Sequence, residues 1–226
     1  MSPRTADPGL AFRRAYDPPQ IYGSRTQRRA DIHDRLRAAV ESLVEGGESY
    51  ANLSVERIAS TAGISRATFY VYFSDKVALL EAMAAAFTDG LIEAASGWWS
   101  LPGSLSKEDL SAAIGAIFDA YLPHKEIMAA VAEVGAHDPD IGGVLAGLVD
   151  RAVAGLAGHI SAGQEEGWVA RGLDPLRTAE WLCWMAERGM YQLARPAGRG
   201  TAARLQAALT DILWNTLYVG ARRSES

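Results

Sequence analysis

The stretch from residue 54 to residue 76 constrains the fold of this chain most, because it predicts two short helices joined by a glycine turn. It reads SVERIASTAGISRATFYVYFSDK. Ser54 is a residue type that caps helices, and apolar or small residues follow it at three- and four-residue steps. Gly63 can adopt the left-handed backbone that ends a helix, and Ser65 can cap the next one. With small Ala59 allowing close packing, the pattern predicts a helix-turn-helix.

The second of these helices carries side chains suited to DNA. A helix of this length fits the major groove, where Arg66 can donate to a guanine edge and Thr68 can touch a base or a phosphate. Tyr70 and Tyr72 are expected to place their phenol hydroxyls on the exposed side.

Residues on either side of these positions are expected to hold the helix in place. Phe69 and Phe73 should anchor it against the first helix of the pair. Ser74 is expected to cap another helix immediately afterwards, where Lys76 and free N–H groups can meet a phosphate.

The run G-I-S-R-x-T-F-Y-x-Y-F-S-D-K resembles the helix-turn-helix signature of the TetR family of bacterial repressors, over roughly residues 25 to 85. The resemblance implies that Thr68, Tyr70, Tyr72 and Lys76 match the usual DNA contacts of that family. The complete set of predicted DNA-binding residues is Arg28, Ser54, Ser65, Arg66, Thr68, Tyr70, Tyr72 and Lys76.

Positive charge is concentrated at the amino end. The net charge of −5 and the pI near 5.4 argue against a protein that coats nucleic acid indiscriminately. Residues 1–24 are proline-rich and are expected to form a flexible basic arm. Arg25, Arg28 and Arg29 beside it can add backbone or minor-groove contacts; a solvated surface charge is the alternative for these arginines and for Arg57.

Helical periodicity continues along the chain and predicts an all-α fold of about nine helices. A first helix begins near Thr26 and a fourth follows Ser74, where it can link the DNA-binding unit to the body behind it. Later helices are expected over about 106–122, 124–136, 139–167, 174–194 and 200–221. The predicted domains are the arm at 1–24, a DNA-binding domain at 25–75, and an effector-binding and dimerisation domain at 76–226.

The last two helices are the predicted dimer interface. Specific DNA sites are usually read as two half-sites by a symmetric dimer. The segment from Trp181 to Leu193 is apolar almost all round, and a helix of that kind must bury more than one face. A monomeric core is the alternative.

All six tryptophans lie beyond the DNA-binding unit, which favours an apolar ligand cavity in the body. For each aromatic residue, the core or the dimer interface is the alternative. The stretches 185–188 and 214–218 resemble the ligand-binding body of EthR-like repressors, which implies a long and mostly hydrophobic effector. Cys183 and Ala186 stand where that pattern has asparagines. The predicted ligand-binding residues are Trp99, Phe118, Tyr121, Met128, Trp184, Met185, Tyr191 and Trp214.

Other function classes find little support in the sequence. The four histidines lack metal-ligand spacing, and neither a G-x-S-x-G nor a G-x-G-x-x-G motif occurs, so we expect no enzyme, metal or cofactor. The single cysteine, Cys183, has no disulfide partner within the chain. The N-terminus lacks the apolar core of a secretory signal, and Asp150 and Arg151 interrupt the longest apolar stretch, so a cytoplasmic protein without a membrane span is expected.

These observations together predict a ligand-responsive repressor. It would bind a palindromic double-stranded DNA operator as a homodimer and be released by a small hydrophobic effector. The alternative is a constitutive or protein-partner-controlled DNA-binding regulator with no small-molecule pocket.

Overall fold

The computed structural model describes residues 25–219, except the side chain of Arg25, and the predicted basic arm lies outside this range. Within it the chain forms nine α-helices and no strand, which confirms the all-α prediction. The helices are α1 Arg25–Glu45, α2 Val55–Thr61, α3 Arg66–Tyr72, α4 Lys76–Trp99, α5 Lys107–Tyr121, α6 Lys125–Gly135, α7 Pro139–Glu166, α8 Pro175–Gly189 and α9 Arg199–Leu217. Short 3-10 turns occur at Tyr50–Asn52 and Leu122–His124, and a π-helical turn at Met190–Ala194 continues α8.

Helices α1 to α3, which we call the head, share a hydrophobic core with residues of α4, α6 and α7. Phe69 and Phe73 of α3 are buried, and so is an apolar stripe of α1 formed by Ile32, Leu36, Val40 and Leu43. Ile58 and Ala59 of α2 pack into the same cluster. The three- and four-residue spacing of these positions brings them to one side of each helix, where their burial holds the head together.

Local capping positions the helices of the head. The Ser54 hydroxyl accepts the N–H of Arg57 at 3.1 Å, and the Ser65 hydroxyl accepts the N–H of Thr68 at 3.0 Å. Gly63 between them has a φ of +66°, which confirms the predicted left-handed turn.

The predicted cap of α4 was wrong by one residue. Asp75, and not Ser74, is the N-cap, because its carboxylate accepts the N–H of Ala78 at 2.8 Å. The Ser74 hydroxyl instead donates to the Asp75 carboxylate at 3.3 Å. A carboxylate is favoured here by the positive end of the helix dipole.

Helix α4 belongs to three hydrophobic clusters. Leu79 and Leu80 pack in the head core, Phe87 and Leu91 in a middle cluster, and Trp98 in the core of the body. The body comprises α5 to α9, and its helix α6 also contributes to the head core. Helix α4 therefore packs against both the head and the body.

A hydrogen-bonded chain is buried where α4, α7 and the end of α9 meet. Trp98 Nε1 donates to Tyr218 Oη at 2.9 Å, and this oxygen lies 2.8 Å from Nε2 of His159. His159 Nδ1 lies 3.0 Å from the carbonyl oxygen of Trp99. Because a carbonyl only accepts, Nδ1 carries the proton and Nε2 accepts the Tyr218 hydroxyl proton.

Helix α7 is long and apolar enough to cross a bilayer, judged by length and composition alone. The interruption at Asp150 and Arg151 that the sequence suggested does not prevent this. In the structure α7 packs against α4, α6 and α8 as part of the body.

Candidate functional site

The exposed face of α3 forms one candidate surface. Arg66, Tyr70 and Val71 are exposed, and the Arg66 guanidinium lies over the Tyr70 ring at 5.5 Å from its centroid. Thr68 is half-buried, with its hydroxyl 2.8 Å from that of Ser65. Val71 is 77% exposed and was not among the predicted contacts, although it lies opposite Phe69 and Phe73 on the helix. An exposed valine there suits a thymine methyl group.

Two predicted DNA contacts are placed differently from expectation. Tyr72 is half-buried against the head core, with its ring edge-on to His33. The Lys76 ammonium donates to the carbonyls of Ala51 and Leu53, the latter at 3.0 Å. These bonds have to open before Lys76 can reach a phosphate.

The remaining predicted DNA contacts lie at helix starts. Ser54 and Ser65 are exposed, and their hydroxyls serve as caps. Arg28 is exposed near the start of α1.

Arg35 of α1 holds the turn of the helix-turn-helix and was missed by the sequence analysis. Its Nε donates to the carbonyl oxygen of Ala62 at 3.0 Å, and its Nη2 donates to that of Gly63 at 2.6 Å. The only local sign was an arginine beside the buried stripe of α1, which gives no indication of a partner in a distant turn.

The body contains an apolar cavity of about 120 Å³. Helices α4 to α9 and the π-helical turn all contribute to its wall. The lining includes Leu91, Ile92, Ala95, Trp98, Trp99, Ile117, Tyr121, Met128, Leu148, Leu156, Leu182, Cys183, Glu187, Met190, Tyr191 and Leu213. Carbon atoms dominate this wall, so the cavity suits an apolar ligand.

Four of the eight predicted ligand-binding residues line this cavity, namely Trp99, Tyr121, Met128 and Tyr191. The other four correct the sequence analysis. Phe118 is buried in the body core, and Trp214 packs against the ring of Tyr218. Trp184 and Met185 are exposed on the outer side of α8. Periodicity could not distinguish the two sides of this helix, because both carry apolar residues.

One end of the cavity is polar. Burial raises the pKa of the Tyr121 hydroxyl, Arg195 opposes this, and Glu187 and Glu126 raise it further. Burial also raises the pKa of Glu187, against the influence of Arg188. Glu187, missed by the sequence analysis, thus interacts electrostatically with Tyr121.

Cys183 also lines the cavity. Burial raises the pKa of its thiol to about 12, so it stays protonated and behaves as a small apolar residue.

Large apolar side chains are exposed on the outer side of the last two helices. Trp181 is 79% exposed and Trp184 is 46% exposed. With them we group Met185, Leu193 and Ile212 as the exposed apolar face. Apolar exposure on this scale marks an interaction surface.

Metal ligands do not cluster in the described part of the chain. Across residues 25–219, no group of three or more His, Cys, Asp or Glu side chains could hold a metal ion.

Known proteins resemble both parts of this chain. Residues 36–83 match the profile of bacterial regulatory proteins of the tetR family, and residues 110–219 match the C-terminal domain of transcriptional regulator EthR. The HTH-type transcriptional regulator EthR of Mycolicibacterium smegmatis is 30% identical over 193 residues, which span 83% of this chain and 87% of that protein. EthR of Mycobacterium tuberculosis is 28% identical over 207 residues, with 89% and 94% covered.

Solved structures share the fold. The TetR family regulator PfmR of Thermus thermophilus has a TM-score of 0.65 at 22% identity, covering 80% of this chain and 97% of that one. The match to the family profile falls on the head, and the match to the EthR profile falls on most of the body. The chain therefore belongs to the TetR family of DNA-binding transcriptional regulators and carries a C-terminal domain of the EthR type.

Proposed function

We propose that this protein is a ligand-responsive repressor that binds a palindromic operator as a homodimer and leaves it when a small hydrophobic effector enters the body cavity. The observation that carries this proposal is the shared position of α4. Its first turns pack in the head core, and its last turns line the cavity through Leu91, Ala95 and Trp99. The TetR family consists of transcription regulators and not enzymes, as the sequence motifs predicted.

We propose that α3 enters the major groove. Arg66, Tyr70 and Val71 lie on its exposed face, and the family match covers this segment. Ser54 and Ser65 support the two helices as caps. Thr68 and Tyr72 contact the DNA backbone or base edges at the margin of the surface that α3 presents to the groove. Arg28 and Lys76 would add phosphate contacts, which position a protein without reading sequence.

Dimerisation is proposed through the exposed apolar face of α8, the π-helical turn and α9. Burying Trp181 and Trp184 against a second copy removes large apolar surfaces from water. Such an interface is the same patch on both subunits, so it has two-fold symmetry and matches a palindromic operator.

Contacts between head and body would carry the response. The ring of His124 lies 2.8 Å from the carboxylate of Glu41 on α1, and Ser49 is hydrogen-bonded to Glu133 on α6. An effector that wedges the cavity open would shift α4 and α6 together and change the separation of the two heads. Such a ligand acts only through its preference for the displaced state. We place this activity in the cytoplasm, where the operator is.

The test is to select bound fragments from random duplex DNA with the purified full chain. We expect a palindrome whose half-site centres are about one helical turn, roughly 34 Å, or a multiple of it apart. Hydrophobic compounds are then titrated into the complex, with their occupancy followed by tryptophan fluorescence and operator binding by anisotropy. An Arg66→Ala variant should lose operator affinity and keep the ligand response of its fluorescence.

Two results would count against the proposal. A selected site without two-fold symmetry would contradict the homodimer. Undiminished operator binding at saturating ligand occupancy would contradict effector release and favour a constitutive regulator.

A further inference from the structure

The body cavity has unpaired polar atoms in an otherwise apolar wall. Among residues 25–219, four buried side-chain polar atoms lack a hydrogen-bond partner, and three of them belong to residues that line the cavity. These are Trp99 Nε1, Tyr121 Oη and Glu187 Oε2. A buried polar atom without a partner lowers stability, and an unpaired buried charge lowers it further. Two of them, Tyr121 Oη and Glu187 Oε2, belong to side chains that interact electrostatically, and this pair indicates a ligand that supplies the missing partners.

Of these three residues, Glu187 has the strongest need for a partner from the ligand, because its carboxyl group can be charged. Its side chain is only 13% exposed, and Nε of Arg188 lies 3.7 Å from Oε2, beyond hydrogen-bond distance. The Arg188 side chain is itself 61% exposed, so solvent screens its charge. Arg195, the other cation at this end, is bonded to Glu126 at 2.9 Å. Burial favours the neutral acid of Glu187 by raising its pKa, whereas a cation entering the cavity favours the carboxylate. A carboxylate only accepts hydrogen bonds, so its partner in the cavity has to be a donor.

A charged donor satisfies this carboxylate best. Hydrogen bonds between an ammonium group and a carboxylate are roughly twice as strong as those between neutral groups. An anionic ligand group would instead place two negative charges together in a buried site. The ring of Tyr121 lines the cavity and adds a face that attracts cations. The Tyr191 ring already contacts two cations, because the guanidinium carbons of Arg188 and Arg195 lie 5.9 Å and 5.7 Å from its centroid.

The rest of the cavity determines the shape of the ligand. Its wall follows α4 from Leu91 to Trp99, a length of roughly 12 Å at the rise of an α-helix. Tyr121 packs against Phe87, one turn before Leu91, so the polar end is far from Trp99. A straight chain of about ten carbon atoms matches this length. A cavity of roughly 150 Å³ holds a molecule the size of benzene, so the helices around this cavity of about 120 Å³ have to move apart as such a chain enters.

We propose that the cavity selects an elongated lipophilic amine, with the ammonium group held by the Glu187 carboxylate and the Tyr121 hydroxyl and the hydrocarbon chain directed along α4 toward Trp99. This inference rests on the proposed function, because it specifies the chemical class of the effector that enters the same cavity.

The experiment compares three probes with the same chain, namely n-decylamine, 1-decanol and decanoate. They are titrated into the full chain at neutral pH, where an alkyl ammonium group is charged as lysine is. Binding is followed by calorimetry and tryptophan fluorescence, and competition with decanol shows whether the amine occupies the same site. The variants are Glu187→Gln and Tyr121→Phe. The matched control is Glu180→Gln, because Glu180 lies on the same helix and pairs with Arg177.

We expect decylamine to bind about ten- to a hundredfold more tightly than decanol, and decanoate to bind most weakly. Glu187→Gln should reduce amine affinity to that of the alcohol and leave the alcohol nearly unchanged, and Tyr121→Phe should reduce the amine preference in part. Glu180→Gln should preserve the order of the three probes.

The outcomes separate this inference from the proposed function. Equal or tighter binding of decanol to the wild-type protein overturns the amine preference and leaves the effector cavity intact, and this comparison does not depend on any variant folding. An amine preference that survives in Glu187→Gln overturns the role of that residue. If none of the three probes binds, the effector cavity itself is contradicted.

Discussion

Arg35 illustrates how one side chain outside the helix-turn-helix determines the geometry of its turn. The carbonyls of Ala62 and Gly63 lie at the end of α2, where the last carbonyls of a helix have no N–H partner within the helix. Arg35 supplies two donors from α1. The head is therefore stabilised by these two hydrogen bonds in addition to its apolar core.

Replacing Arg35 with Met should lower the free energy of unfolding by about 1–2 kcal/mol, because two charge-assisted hydrogen bonds are lost at a partly exposed site. Operator affinity should fall as well, since α3 loses its fixed angle to α2. Chemical denaturation and anisotropy measure the two effects. Arg37→Met is the control: within residues 25–219, Arg37 pairs with Asp34 and Glu41 of its own helix, so its loss should cost less than about 0.5 kcal/mol. Equal losses of unfolding free energy in the two variants would contradict the stabilising role of the Arg35 hydrogen bonds.

His159 gives the body a pH-dependent stability. Burial lowers its pKa below the usual 6.5, against the raising effect of its hydrogen bond to the Trp99 carbonyl. The unfolded chain therefore takes up a proton first as the pH falls. The stability provided by the neutral ring is complete above about pH 6.5 and is lost as the pH falls through the folded pKa.

Between about pH 7.5 and pH 5.5, the wild-type protein should lose up to about 1.4 kcal/mol more stability than His159→Gln. Thermal or urea unfolding at several pH values measures the difference, and His137→Gln, at an exposed position, should behave as the wild type does. Parallel pH profiles for the wild type and His159→Gln would show that the buried ring does not titrate as described.

At the scale of elements, the packing of α7 on α4 determines the width of the cavity. Gly155 of α7 lies so close to the indole of Trp99 that an added Cβ would stand 2.3 Å from Cζ3. A larger residue at Gly155 has to push this indole, and the indole lines the cavity.

Gly155→Val should therefore weaken binding of 1-decanol by roughly tenfold, equivalent to about 1.4 kcal/mol of lost contact. Calorimetry measures the affinity, and circular dichroism verifies that helix content is kept. Gly158→Val on the same helix is the control, since a Cβ at Gly158 meets no atom within 4 Å. Unchanged decanol affinity in Gly155→Val would mean that the ligand does not use the space beside Trp99.

Helix boundaries were largely predictable because their signals are local. Ser106 caps α5 with a complete capping box, Pro139 opens α7, and Gly167 ends it with a φ of +92°. The cap of α4 could not be assigned from sequence, because Ser74 and Asp75 are both good N-cap residues and only the backbone decides between them.

At the scale of the whole molecule, the exposed apolar face should hold two copies together. Trp181→Glu places a charge in the proposed interface, so a species of twice the 24.2 kDa chain mass should dissociate to monomers. Light scattering after size exclusion measures the mass. Val71→Glu also charges an exposed apolar residue, but on α3, so it should remain dimeric and lose operator binding. A dimeric Trp181→Glu would place the interface elsewhere.

The sequence by itself determined the helix-turn-helix, the all-α class and nearly every helix, because caps, glycine turns and the helical repeat act over a few neighbouring residues. Only the tertiary structure decided which aromatic residues surround a cavity. Trp184 and Tyr191 belong to the same apolar segment, yet one faces outward and the other lines the cavity. The same holds for Arg35 and Lys76, because their partners are distant in the chain and no local spacing identifies them. It also holds for Glu187, because only the packing of the body helices brings it to the cavity.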